Sequence, residues 1–282
     1  MKNIVTAMAT FTLILFASCE DGCTNENSYN FDNSATRDDG SCKSLLGCTG
    51  FNDGMDNSGT FGNTFYNSTN DILFSNEIAS QSNFWNGITA RVSVWYEPYG
   101  TMNAVSTSQG NIFFGYNLFY HVVNSYSAND YAVDGILAHE WGHQIQYQLN
   151  YITPSNYLTE LEADAFSGFY IAAGKQFDEQ QLYSYYHNTF SSGSNNYNSP
   201  DFHGTPQQRY DAVRLGMDYG IAMLNGTSFT YQQLHSRIVS DIQSMIMYQR
   251  KGEEVADKST TIVPSSKRLE YPTGKASGVI SF

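Results

Sequence analysis

The segment that most limits what this chain can fold into is Ile136-Leu137-Ala138-His139-Glu140-Trp141-Gly142-His143-Gln144-Ile145. Ile136, Leu137, Trp141 and Ile145 recur at helical spacing, which predicts a helix with an apolar body running to about Leu149, capped at its start by Asn129 or Asp130. Three titratable side chains sit inside that body, and burying such groups is costly unless each finds a partner. Residues four apart share one face of a helix, so His139 and His143 can converge on a single metal ion. Glu140, one position along, can reach a water held there. The fold must therefore half-bury a helix that carries its own polar site.

A zinc ion in a hydrolytic site takes three protein ligands and leaves one position open. Downstream of His143, Thr153-Pro154 opens a second helix, since Pro is tolerated in the first helical turn, and a short turn folds it back against the first. That helix carries Glu160-Leu161-Glu162-Ala163-Asp164, and one of its carboxylates completes a His, His, Glu set. Glu160 and Glu162 are separated by about 200° of rotation, so only one of them faces the metal. Asp164 lies four after Glu160 and on the same face, where it can accept a ring N–H from His139 or His143 and fix its tautomer. This selects Glu160 and sends Glu162 towards solvent or a neighbouring helix.

Around this centre, Arg91–Tyr96 and Asn111–Phe114 read as strands separated by Gly-rich turns, within a region that begins near residue 65. Past residue 129 the pattern turns helical. Thr205-Pro206-Gln207-Gln208 is a capping box that starts a further helix, and Thr230 with Gln233 forms another. The tyrosines from Tyr183 to Tyr186 read as helix packing. Strands followed by helices predict an α+β domain over residues 61–249. Aromatic residues make up 15% of the chain, enough for a substantial core, and a net charge of −13 excludes a general affinity for nucleic acid or anionic membranes.

The ends read differently. Lys2 followed by the apolar run Ile4 to Phe16, too short for a bilayer of about 30 Å, predicts a signal peptide over residues 1–18 and an exported protein. Leu15-Phe16-Ala17-Ser18-Cys19 looks like a bacterial lipobox, which implies a lipid on Cys19 as the one contact with a membrane and a place in the cell envelope or on the cell surface. The alternative is an ordinary cleaved signal, a secreted protein, and Cys19 in a disulfide. Cys19, Cys23, Cys42 and Cys48 all fall early, so residues 19–60 form a small tether of their own. Gly22 to Cys42 resembles a short Cys-bounded repeat of bacterial surface proteins; with Cys19 lipidated, Cys23 with Cys42 is the favoured pair. Asp32, Asp38 and Asp39 read as a solvated acidic turn in preference to a calcium site. Residues 250–282 carry 6 of the 14 basic residues and read as a loosely structured tail.

HEWGH followed by ELEADAFSG resembles the gluzincin class of zinc metallopeptidases. The later His203-Gly-Thr-Pro-Gln-Gln-Arg209 is similar to a segment of the bacterial predicted neutral zinc metallopeptidases. Asn103-Ala104 with Gly110-Asn111-Ile112-Phe113 resembles the strand that borders the cleft of such enzymes. The resemblance implies a zincin-like domain with a small N-terminal strand region and a helical active-site half. It implies Zn2+ held by His139, His143 and Glu160, a second-shell carboxylate at Asp164, and peptide or protein as substrate. Zinc would polarise the scissile carbonyl while Glu140 acts as general base. For the oxyanion, His203 at the mouth of a helix is the candidate donor, against a role in packing; Arg209 is assigned to pairing, and His121, His187 and His235 to ordinary positions. Trp141 and Ala165 depart from the family's usual residues. Two other readings stay open: a binding protein that has lost catalysis, and a zinc hydrolase of a non-peptide amide.

Overall fold

The computed structural model describes residues 20–22, 24, 34–39, 59–98, 102–125, 131–151, 156–177, 181, 185, 202–253 and 280–281. The signal peptide, Cys19, Cys23, Cys42, Cys48, Asp32, Thr153-Pro154 and His187 lie outside them. In chain order the elements are β1 (Asp21–Gly22), β2 (Arg37–Asp38), β3 (Thr60–Gly62), α1 (Ser68–Phe84), β4 (Arg91–Tyr96), β5 (Ala104–Thr107), β6 (Asn111–Gly115), α2 (Tyr116–Ser125), α3 (Tyr131–Leu149), α4 (Asn156–Tyr170), α5 (Pro206–Leu224), β7 (Phe229–Thr230), α6 (Tyr231–Glu253) and β8 (Ile280–Ser281). A π-helical turn, Ile171–Lys175, prolongs α4. Among the described residues this is a mixed α+β architecture, with the six helices named above and a small four-stranded sheet.

The β-branched and aromatic runs expected to be strands form the middle of that sheet. Its order is β3-β4-β6-β5, with β4 parallel to β6 and both outer strands antiparallel to their neighbours. β5 is an edge strand. Its Ser106 hydroxyl donates to the backbone carbonyl of Glu140 at 2.6 Å, and the Gln144 amide of α3 donates to the carbonyls of Thr107 (3.0 Å) and Asn111 (3.3 Å). Two side-chain hydrogen-bond sets thus pin the edge strand and its hairpin beside the His-Glu segment.

α3 is buried from Ala132 to Gln146 without interruption, so it has no solvent face over that stretch. Trp141 is fully buried in the main core with Ile112, Phe166 and Phe169; the residue that departs from the family pattern therefore packs the interior. Gly142 permits the neighbouring helix to come close: a Cβ there would lie 3.0 Å from the Ala163 backbone of α4. α4 and α5 approach even more closely, since a Cβ on Gly216 would fall 1.8 Å from the Ala165 carbonyl. At the far end of α3, Lys175 bridges Glu77 (2.6 Å) and Asp134 (2.8 Å), and the Tyr170 hydroxyl donates to Glu77 at 2.7 Å.

Two helices depart from the strand-rich expectation for this region, α1 and α2. α1 is capped by Asn67, whose side chain accepts from Thr69 N and Asn70 N, but its buried positions are Phe74, Glu77 and Gln81, two of them polar. No apolar stripe announces it. α6 follows its Thr230 capping box as expected and runs past residue 249 to Glu253. β8 pairs in parallel with β7, which fastens Ile280–Ser281 of the tail to the domain. No helix among the described residues is long and apolar enough to cross a membrane.

Candidate metal centre

Helical geometry brings the two imidazoles together. His139 and His143 stack as a T, 4.7 Å between centroids, with their Nε2 atoms 3.1 Å apart. Glu160 of α4 meets both, Oε2 at 3.4 Å from His139 Nε2 and Oε1 at 3.5 Å from His143 Nε2. All three side chains are buried, and their ligand atoms lie within 4.8 Å of one another. It is the one such group of His, Cys, Asp and Glu among the described residues. The three come together as the sequence reading expected, from α3 and an antiparallel-returning α4.

The groups behind the histidines decide their protonation. Asp164 Oδ1 is 2.9 Å from His139 Nδ1, and Arg209 of α5 clamps the same carboxylate with Nε to Oδ2 at 2.7 Å and a terminal nitrogen to Oδ1 at 2.8 Å. Burial pushes Asp164 up, but the Arg209 charge and hydrogen bonds outweigh it and hold the carboxyl at about 2. Asp164 is thus an acceptor, His139 carries its proton on Nδ1, and its Nε2 lone pair points at His143 and Glu160.

Among the described residues, neither Glu160 Oε2 nor Glu140 Oε1 has a hydrogen-bond partner, although both are buried. Buried carboxylate oxygens left in that state cost several kcal/mol in order of magnitude, about 1–3 each for neutral polar groups and more for charged ones. A cation at the focus of His139, His143 and Glu160 removes that cost for Glu160 Oε2, and two nitrogens with one carboxylate oxygen are a donor set that suits zinc. The residues fit the ion. Glu140, one residue after His139, is 1% exposed and is not a member of that group.

His203 is buried in the loop that enters α5. Gly204 beside it has φ +108, and a Cβ there would meet Leu161 of α4, so this loop packs against the ligand-bearing helix. Arg209 meets the expectation of a pairing role. Three features went unread in the sequence. Tyr147, one turn after His143, is pushed well above the ordinary phenol range by burial and by the charges of Glu140 and Glu160. Gln146 Oε1 lies 2.8 Å from His143 Nδ1. The partner of Glu162 is the third: Glu162 faces a neighbouring helix, one of the two directions expected of it, and is fully buried against His235 of α6. The i, i+3 spacing of His143 and Gln146 was the available signal for one of these.

In comparison with known proteins, no family model, no curated protein and no solved structure matches this chain.

Proposed function

We propose that the chain is a zinc-dependent peptidase of zincin-like arrangement. One observation carries the reading: His139, His143 and Glu160 converge in the interior, and Glu160 Oε2 among them lacks a hydrogen-bond partner among the described residues. His139, His143 and Glu160 would hold the ion, which supplies Lewis acidity and a water of lowered pKa. Glu140 takes the proton of the attacking water at its carboxylate and delivers it to the leaving nitrogen. Ser106, through its bond to the Glu140 carbonyl, fixes the height of the edge strand relative to that base.

Among the described residues β5 has a neighbour in the sheet on one side only, and an extended peptide can add to such an edge through its backbone. This is what favours peptide over another amide. His203 is the proposed oxyanion donor. The apolar N-terminal run supports export, with Cys19 as lipid anchor.

Zinc content of the purified protein and cleavage of a peptide library, with and without chelator, test the proposal. The expected result is about one zinc per chain and cleavage abolished by chelation. Absence of zinc after zinc-replete expression would refute the centre, and zinc without cleavage of any peptide would refute the peptidase.

A further inference from the structure

The side-chain amide of Gln146 is fully committed. Its nitrogen donates to the Thr159 carbonyl at 2.8 Å and to Glu162 Oε2 at 3.1 Å, which uses both of its hydrogens. Its oxygen must then be the atom 2.8 Å from His143 Nδ1. An oxygen accepts, so His143 carries its proton on Nδ1 and leaves the Nε2 lone pair facing His139 and Glu160. Were the amide turned over, its NH2 would face Nδ1, the ring proton would move to Nε2, and that nitrogen could no longer bind a metal.

What prevents the turn is the pair of acceptors on the amide's other side. Thr159 supplies a backbone carbonyl from α4. Glu162 supplies the second, and Glu162 is itself held from α6: its Oε1 lies 2.5 Å from His235 Nδ1. Oε2 of Glu162 is an acceptor whichever of the two residues carries the proton they share. His235 is oriented in turn by stacking on Tyr151, 4.1 Å between centroids and 13° between planes, and Tyr151 N donates to the Gln146 carbonyl at 2.8 Å. The chain His143, Gln146, Glu162, His235 therefore links three helices and ends on a side chain 18% exposed.

We propose that Gln146, held by Glu162 and through it by His235 of α6, sets the tautomer of His143, so that the C-terminal helix governs the affinity of the metal centre. Gln146, Glu162 and His235 are positioning residues in this account. It rests on the reading of His139, His143 and Glu160 as metal ligands, and it assigns Glu162 a role where the sequence alone implied little effect of its loss.

The test uses the full chain with two measurements. Ring 15N shifts of His143 in the metal-free protein report which nitrogen carries the proton, and zinc affinity is read by competition with a chelating dye. In the parent protein the proton should be on Nδ1. Gln146→Met, which keeps the volume and loses the acceptor, should lower zinc affinity by about ten- to a hundredfold and mix the tautomers. His235→Phe keeps the stack on Tyr151 and removes the hydrogen bond; it should lower affinity by about tenfold in a chain that remains folded by circular dichroism. His235→Asn, whose amide N–H stands where Nδ1–H does, should restore the parent value. A parent His143 protonated on Nε2, or unchanged tautomer and affinity in both Gln146→Met and His235→Phe, would overturn the proposal. If the parent bound no zinc, the metal reading itself would fail, while the 15N result would still decide the tautomer lock.

Discussion

Replacing Asp164 by Asn separates what that carboxylate does for the fold from what it does for the metal. Asp164 is 1% and Arg209 2% exposed, and they share two hydrogen bonds of 2.7 and 2.8 Å. Arg209 holds the Asp164 carboxyl well below its ordinary range, at about 2, so the ionised form is strongly preferred in the fold. Removing one partner of a buried pair costs about 3–5 kcal/mol, because the other charge is left uncompensated. Asparagine keeps one oxygen for Arg209, so the expected loss is about 3 kcal/mol. The same change weakens the acceptor for His139 Nδ1, and zinc affinity should fall by about ten- to a hundredfold. Urea denaturation reads the first and chelator competition the second. In Asp164→Asn/Arg209→Met the stranded charge is gone; most of the stability should return and none of the zinc affinity. Unchanged stability and affinity in Asp164→Asn would refute the reasoning, and recovery of zinc affinity in the double variant would show that Asp164 acts through Arg209 and not His139.

Four further outcomes are expected. Glu140→Gln should bind zinc as the parent does and lose turnover by about 10²–10⁴-fold, read by metal analysis and peptide cleavage; normal turnover would remove Glu140 as base. His203→Ala should lower the rate about a hundredfold with zinc content and melting temperature unchanged, whereas a packing histidine would lower the melting temperature alone. Burial pushes Glu97 up to about 7 against the backbone N–H groups of Asn103 and Asn117 that it accepts. Its folded pKa exceeds its unfolded one, so the fold binds the proton more tightly, and stability should decline by up to about 3 kcal/mol as pH rises from near 4.5 to near 7; Glu97→Gln should flatten that slope in denaturation curves taken across the window. Gly216→Ala drives a methyl into the Ala165 carbonyl and should destabilise by about 1–3 kcal/mol, with a parallel loss of zinc affinity because α5 carries Arg209; an unchanged melting temperature would contradict the close α4 to α5 packing.

Where backbone geometry alone sets the neighbour, the sequence was sufficient. His139 meets His143 because residues four apart on a helix always do. Glu160 and Asp164 share a face for the same reason, and Thr205 with Gln208 closes its capping box within one turn. β4 and β6 were legible because their residues favour a pleated, half-buried surface. α1 was not, because its interior face is built from Glu77 and Gln81, which become core residues only when Tyr170 and Lys175 arrive to satisfy them. The same holds at the centre. The sequence by itself determined which residues can ligate and on which helices they stand. Tertiary structure alone decided that Glu162 is buried, that His235 holds it, and that Arg209 rests on Asp164. Those choices rest on hydrogen bonds between side chains on different helices, whose geometry no local periodicity encodes; it exists only once α4 has packed on α3 and α5 and α6 on α4.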